Sequence, residues 1–303
     1  RHFHLVSAPR AARMIVLHAP RLSGAAAAAL ADLGFGGVDF ATGLADDRPA
    51  LYLLGAANPA VVKASGTGSV TLSGTRSNGD GEGIWIGVGN SKVETESGDI
   101  TLVGVGSDKA GGVKTDGVRL GGSGQVFSTA GGDVTVTATS RGTVADFTTL
   151  ATASLGSAGT GNITINADRA AIAGTSFITG SGVLTIQPRT DGRSIGLGTG
   201  AAGDLQLGAG SLGNPLVDGF SEIVIGNSAA GTINVATALL AFKDNLRLVS
   251  GANLLFTGTS AGSPRDVGSN RLTLDIAGTT TQSAGLGAYI KADSLLLTGA
   301  GGT

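Results

Sequence analysis

The stretch Gly98-Asp99-Ile100-Thr101-Leu102 decides the fold of this chain, because its pattern returns along much of the sequence. Each copy places a turn residue, usually glycine, before an apolar, polar, apolar alternation. The clear copies are GSVTL (68–72), GDITL (98–102), GDVTV (132–136), GNITI (161–165) and GVLTI (182–186), with looser copies at GDLQL (203–207) and GTINV (231–235). Repetition of one short strand unit at intervals of about 20–50 residues is typical of a solenoid.

The spacing of the copies indicates how the solenoid varies. The central apolar residues of the first six copies are separated by 30, 34, 29, 21 and 21 residues. A period that shortens while the strand is kept means that the loops change and the stacked strand persists.

Further strands are expected inside the longer repeats. Short apolar segments at 83–88, 92–95, 117–120 and 125–127 lie between turn residues and predict three strands per repeat. Segments 246–248, 254–256, 272–276 and 295–297 continue the pattern, whereas 236–243 is interpreted as a loop or irregular rung. The sequence therefore predicts an all-β parallel β-helix over residues 64–303, with about eight to eleven coils and, at ~4.8 Å per coil, a rod of about 40–50 Å.

The alternation also predicts which side chains face the interior. Val70 and Leu72 should point inward and Thr71 outward. Stacking of the copies then predicts an outward row of threonines that ends in other polar residues, listed as Thr71, Thr101, Thr135, Thr164, Thr185, Gln206, Asn234 and Arg247. A row of threonines on a β-solenoid is also found in ice-binding proteins, but the high β-propensity of threonine explains this row better.

Composition excludes several classes of protein. The 303 residues include 53 glycines without a triplet period, which excludes collagen, and 41% apolar against 14% charged residues, which argues against disorder. A net charge of -2 without a basic stripe gives no indication of nucleic-acid binding. Disulfides and thiolate metal sites are excluded by the absence of cysteine, and no apolar run is long enough to predict a transmembrane helix.

Residues 1–63 differ from the repeats. Five consecutive alanines predict a short helix over 24–33, with Ser23 as N-cap and Gly34 as terminator. The segment is interpreted either as a cap on the first coil or as an adjacent module. The chain stops in mid-pattern after Leu295-Leu296-Leu297, so we expect a fragment of a longer protein, with an exposed last edge open to end-to-end self-association.

The repeats GSVTLSGT (68–75), GDITLVGV (98–105), GGDVTVTA (131–138) and GNITINAD (161–168) resemble those of filamentous-haemagglutinin-like exoproteins, which are large surface adhesins of Gram-negative bacteria. Segments 194–198 and 220–226 resemble spacer units of such proteins. The resemblance covers about residues 64–300. It implies a right-handed parallel β-helix, located outside the cell or on the bacterial surface, that serves adhesion, biofilm formation or contact-dependent competition.

One family feature is missing. The secretion domain of that family carries Asn-Pro-Asn motifs, whereas this chain has only Asn58-Pro59-Ala60 and Asn214-Pro215-Leu216. The resemblance implies as partners a host or neighbouring cell surface, a glycan or extracellular matrix.

Acidic residues form the main candidate for chemistry. Asp80, Glu82, Glu94, Glu96 and Asp99 lie close in sequence. Because glycoside hydrolysis uses a pair of carboxylates, a carbohydrate-active β-helix enzyme is the alternative function. Turn composition and outward strand positions explain these residues better, and the chain has only 1 Trp and 2 Tyr for sugar stacking.

Metal sites are the other candidates. Asp99 and Asp133 occupy equivalent positions, so they should either hold a cation between coils or each form an Asx turn. His2, His4 and His18 lack a further ligand nearby and are interpreted as surface residues. We therefore expect no catalytic residue, no cofactor-binding residue and no metal ligand, and no cofactor.

Overall fold

The protein is a parallel β-helix. The computed structural model describes residues 15–18, 38–39, 50–54, 60–76, 79–87, 89–108, 112, 114–236, 242–257, 265–282 and 290–299. Among these residues the strands pair in parallel, except for one antiparallel pair, and they form four large sheets that stack coil upon coil.

Sheet A is the longest sheet and contains the repeated pentapeptides. Its strands are β1 (Ile15–His18), β5 (Val70–Thr75), β8 (Ile100–Val105), β11 (Val134–Thr139), β14 (Ile163–Asn166), β17 (Val183–Gln187), β20 (Glu222–Asn227), β22 (Leu246–Ser250), β25 (Arg271–Ile276) and β28 (Ser294–Thr298). Nine of these described strands follow residue 64, which agrees with the expected eight to eleven coils.

Sheets B and C complete the first coils. Sheet B contains β2 (Val38–Asp39), β3 (Leu51–Leu54), β6 (Ile84–Gly87), β9 (Val118–Leu120), β12 (Phe147–Thr149) and β15 (Ala170–Ile172). Sheet C contains β4 (Val61–Ala64), β7 (Lys92–Thr95), β10 (Gln125–Ser128), β13 (Ser154–Ser157) and β16 (Phe177–Thr179). Three strands per coil are thereby confirmed for this part of the rod.

Sheet D replaces sheet B in the later coils. It contains β18 (Ile195–Leu197), β19 (Leu205–Leu207), β21 (Ile233–Val235), β23 (Leu254–Phe256) and β26 (Thr280–Gln282). The remaining elements are the pair β24 (Arg265–Asp266) with β27 (Ile290–Lys291), and a one-turn helix α1 (Ala209–Leu212).

The register of sheet A produces the predicted inner and outer rows. Val70, Ile100 and Val134 are consecutive Cα partners and are fully buried, as are their equivalents in the next two coils. The neighbouring outward row stacks threonine on threonine through Thr71, Thr101, Thr135, Thr164 and Thr185. β-Branched side chains suit both rows because they pack closely on a pleated surface.

The two looser pentapeptide copies, at 203–207 and 231–235, do not lie in the same sheet as the clear copies. Leu205 pairs with Ile195 rather than with Leu184, and Ile233 pairs with the same Ile195, so both copies belong to sheet D. The partner of Leu184 in sheet A is Ile223, which lies 39 residues later in a segment interpreted as spacer. An apolar, polar, apolar triplet fits any sheet, and the connections decide which sheet it joins. Gln206 and Asn234 are consequently not members of the threonine row.

Strand order in space departs from chain order at this point. Sheet D runs β19, β18, β21, β23 and β26, so the chain forms β18 and then returns one level to form β19. The helix α1 packs beside β15 and β19, and Ser211 Oγ lies 3.3 Å from the carbonyl oxygen of Ile172, to which it donates. Leu216 then forms a parallel bridge with Ile178 of β16 and so lies beside the edge of sheet C.

Strand pairing also reaches into residues 1–63. β3 pairs with β6, β4 pairs with β7, and β1 pairs with β5, all in parallel. β2 pairs with β3 in the antiparallel direction at the edge of sheet B. The helix expected at 24–33 and the loop residues 237–241 lie outside the described residues, and the role of 1–63 as cap or module stays a prediction.

Candidate functional site

The turns between sheet A and the following sheet bring together most of the buried charge of the described coils. We call this edge of the rod the A–B corner and define it by residues 76, 79–83, 106–108, 112, 114–117, 140–146, 167–169 and 188–194. Its carboxylates Asp80, Glu82, Asp116, Asp146 and Asp168 are each at most 8% exposed. Buried carboxylates require hydrogen bonds or cations, so the partners of these groups determine what the corner can do.

At this corner the backbone of sheet A approaches the backbone that leads into sheet B, and the lack of a side chain on glycine permits this close approach. A Cβ atom added to Gly104 would lie 2.0 Å from the carbonyl oxygen of Gly117. Any side chain at position 104 would therefore push sheet A away from the corner.

Arg119 links two buried carboxylates, Glu82 and Asp116. Its Nη1 donates to Glu82 Oε1 and to Asp116 Oδ2, each at 3.3 Å. Thr148 Oγ1 donates to the other oxygen of Asp116. Burial raises the pKa of Glu82 to about 7 against the opposing effect of Arg119, and burial also raises the pKa of Asp116.

An aromatic column adjoins these carboxylates. Tyr52, Trp85 and Arg119 are successive partners on the outer face of sheet B. The Tyr52 and Trp85 rings stack with centroids 4.7 Å apart, and Arg119 Cζ lies 5.6 Å from the Trp85 ring centroid. The indole is therefore covered on both faces by its neighbours in the column, and the column stabilises adjacent coils by stacking and cation–π contact.

Further along the corner lies a polar cavity of about 380 Å³. We call it the arginine cavity, and its lining residues are Ser140, Asp146, Asp168, Arg169, Arg189, Thr190, Arg193 and Asp204. Three ion pairs form its wall: Arg169 with Asp146 at 3.4 Å, Arg189 with Asp168 at 3.4 Å, and Arg193 with Asp204 at 3.0 Å.

Backbone amide groups hold the aspartates of the arginine cavity. Asp146 Oδ1 accepts from the N–H of Ser140 at 2.7 Å, and its Oδ2 accepts from the N–H groups of Asp168 and Arg169 at 2.7 and 2.9 Å. Asp168 Oδ1 accepts from the N–H of Thr190 at 2.8 Å. These carboxylates tie one coil to the next.

Asp204 is also held by hydrogen bonds, although its side chain is 38% exposed. Its Oδ2 accepts from the hydroxyl and the N–H of Ser194, at 2.8 and 3.0 Å. These two hydrogen bonds, followed by the pairing with Arg193, lower the pKa of Asp204.

The five acidic residues named from the sequence do not form one groove. Asp80 and Glu82 lie at the A–B corner, whereas Glu94 lies on sheet C and forms ion pairs with Lys63 at 2.5 Å and Lys92 at 3.1 Å. Glu96 accepts from the N–H of Gly66 at 2.7 Å in the preceding coil. The pKa of Glu94 is lowered, first by the hydrogen bond from Lys63, which is the opposite of the shift at Glu82.

Asp99 and Asp133 accept backbone N–H groups of the following coil instead of forming Asx turns. Asp99 Oδ1 accepts the backbone N–H of Asp133 at 2.9 Å, and Asp133 Oδ1 accepts that of Asn162 at 2.7 Å. Asn162 Oδ1 in turn accepts the N–H of Val183 at 2.9 Å. Each side chain thus receives the amide of the next coil, and this series, which we call the Asx ladder, explains the recurrence of Asp and Asn before the strand.

Sequence reasoning missed the residues of the arginine cavity and missed Asp116 and Arg119. The connections that carry them differ in length from coil to coil, so these residues do not recur at a fixed offset from the pentapeptide. The one usable signal was an aspartate in each of the connections that follow β5, β8, β11, β14 and β17.

Metal binding finds no further support in the part of the chain that the structure describes. No group of three or more His, Asp or Glu side chains there is placed to hold a metal ion. His2 and His4 lie outside the described residues. No helix in the described ranges is long and apolar enough to cross a membrane.

Comparisons of the chain with protein-family models, curated proteins and solved structures find no match. The resemblance to filamentous-haemagglutinin-like repeats therefore stays a prediction from the repeat sequences.

Proposed function

We propose that this chain is a structural and adhesive segment of a large bacterial surface or secreted protein. It would present its solenoid surface to a host or neighbouring cell, to a glycan or to extracellular matrix. The parallel β-solenoid fold is compatible with such a role.

One observation carries the proposal: the acidic side chains singled out for chemistry serve as ties between coils. Asp80 accepts the N–H of Lys114 at 2.9 Å, and Glu82 pairs with Arg119, both in the next coil. Glu94, Glu96 and Asp99 also bind groups of an adjacent coil, as described above. Side chains used in this way link the successive coils of a long stack, whose surface is then free for contact with a partner.

The repeated sequence gives the same indication. Each coil buries its aliphatic side chains against those of the neighbouring coils. Added coils therefore lengthen the protein and extend the same core. A rod of this kind extends a binding surface away from the cell that carries it.

The proposal is tested by coating beads with the chain and measuring retention of cells, glycans and matrix proteins. We expect saturable retention that is lost when the chain is unfolded before coating. Equal retention by native and unfolded chain would overturn the proposal.

A carbohydrate-active enzyme is the second candidate, favoured by one feature. Glu82, with a pKa of about 7, lies beside Asp116, and a carboxylic acid of raised pKa is what a glycosidase uses as general acid. Glu82 is completely buried, however, so a substrate could reach it only after the corner opened. Time-dependent release of reducing or unsaturated sugar ends, abolished by Glu82→Gln, would establish this alternative.

A further inference from the structure

We propose that the arginine cavity binds an acidic saccharide and recognises the carboxylate of a hexuronic acid. The inference rests on the proposed adhesive function and names a ligand class and a site for it. It depends on three features of the cavity: its size, its free donors and its balance of charge.

The cavity has the size of a saccharide site. Its volume of about 380 Å³ lies at the lower end of the range of small-molecule pockets, which is about 300–1,000 Å³. A space of this size accommodates one or two sugar rings. Two of its polar residues, Asp146 and Asp168, are almost completely buried and are fixed by backbone amides, so the wall is preorganised.

The arginines retain donors for a ligand. Each guanidinium contacts its aspartate through a single amino nitrogen, and two of the three contacts are as long as 3.4 Å. None of the pairs has the two-pronged geometry that engages both amino groups. Arg169 Nη2 also donates to the carbonyl oxygens of Ser140 and Gly142, at 3.3 and 2.9 Å, so Arg169 belongs mainly to the wall. The side chains of Arg189 and Arg193 are 38% and 48% exposed and form one ion pair each, so these two guanidinium groups keep N–H donors for a ligand. Guanidinium groups bind carboxylates in a planar two-point arrangement.

The charge balance distinguishes among anionic ligands. Three aspartates accompany the three arginines, so a densely sulfated chain or a nucleic acid would bring its charges against carboxylates. A uronic acid carries one carboxylate and several hydroxyl groups per sugar. Its carboxylate would meet the guanidinium donors of Arg189 and Arg193. Its hydroxyls would find acceptors in Asp168, Asp204 and the hydroxyl oxygen of Thr190, whose own proton is donated to Asp168 Oδ2 at 2.6 Å.

The test uses isothermal titration of the whole chain with tetragalacturonate, alongside maltotetraose and a heparin-derived tetrasaccharide. We expect saturable binding of tetragalacturonate. The double variant Arg189→Gln/Arg193→Gln should weaken binding by about tenfold or more, because charge-assisted hydrogen bonds contribute at least that factor.

Arg271→Gln is the matched control. Arg271 is a similarly exposed arginine, paired with Glu222 at 3.1 Å on sheet A and outside the cavity. Its substitution should leave the affinity within about twofold. Circular dichroism of each variant verifies that the fold is intact.

Absence of tetragalacturonate binding, equal binding of maltotetraose, tighter binding of the sulfated tetrasaccharide or an equal loss in Arg271→Gln would each overturn the inference. The bead assay separates this failure from that of the proposed function. Retention on neutral glycans or matrix without uronate binding would reject the cavity alone. Loss of both would reject both.

Discussion

Neutralising Glu82 should stabilise the protein above neutral pH, although Glu82 forms an ion pair. The side chain is completely buried, and the folded state raises its pKa from 4.5 to about 7. The folded state therefore holds this proton more tightly than the unfolded chain does. The associated stability is fully present below pH 4.5 and is lost as pH rises through about 7.

The size of the effect follows from the pKa difference. At about 1.4 kcal/mol per pKa unit, the charged form of Glu82 lowers the free energy of unfolding by about 3 kcal/mol. Gln has nearly the same shape and no charge. Glu82→Gln should therefore match the wild type near pH 4.5 and exceed its stability by about 3 kcal/mol near pH 8, because burying a charge costs more than its pairing with Arg119 returns.

Urea unfolding followed by tryptophan fluorescence is the appropriate assay. Trp85 is the single tryptophan of the chain, and its ring lies 5.6 Å from the Arg119 guanidinium carbon, so it reports on the coil that holds Glu82. Unfolding is measured from pH 4.5 to pH 8, and the quantity of interest is the difference between variant and wild type at each pH.

Glu94→Gln is the matched control because the pKa of Glu94 is shifted in the opposite direction. Its hydrogen bond from Lys63 lowers the pKa, so this residue stabilises the fold above pH 4.5 and loses that effect as pH falls. The Gln variant should therefore be less stable than wild type at pH 8. A difference between Glu82→Gln and wild type that stays constant from pH 4.5 to pH 8 would refute the reasoning.

Three further predictions concern the backbone contact, the Asx ladder and the last sheet A strand. Gly104→Ala should destabilise the fold by about 2–3 kcal/mol in thermal denaturation, since its Cβ would lie 2.0 Å from the carbonyl oxygen of Gly117; Gly210→Ala, which meets nothing within 4 Å, is the control, and equal melting of both would contradict the prediction. Asp133→Ala should cost about 1 kcal/mol in urea unfolding by leaving the N–H of Asn162 without its acceptor, and Asp133→Asn should restore it; a failure of Asn to do so would reject the ladder as the cause. Leu296 of β28 is 46% exposed, so Leu296→Lys should lower self-association in sedimentation, and unchanged association would show that this surface is not involved.

The fold was predictable because local pattern and long-range pairing agree in sheet A. The same alternation that marks Ile100 and Leu102 as inward also places them on Val134 and Val136 of the next coil. Where the connection lengthens, after Leu184, the pattern no longer identifies the sheet. An apolar, polar, apolar triplet predicts which side chains are buried, but it does not predict with which strand the triplet pairs.

The site was not predictable for a related reason. Arg119 and Glu82 are 37 positions apart, whereas Arg189 and Asp168 are 21 apart, because each coil has its own connection length. Side chains that meet across coils therefore have no common spacing. Composition could indicate that acidic residues recur, but their burial and their shifted pKa values depend on stacking.

The return of the chain from β18 to β19 has a consequence for how the rod assembles. β19 lies beside β15 and beneath β18, yet it is made after β18. A chain emerging from its N-terminus therefore produces β18 before β19, its neighbour on that side of sheet D, exists. The coils therefore cannot form here strictly in the order of the sequence, because β18 can pair with β19 only after residues 198–207 have been made. In the described part of sheets A and D, this is the one place where a strand stacks on another strand that follows it in the sequence.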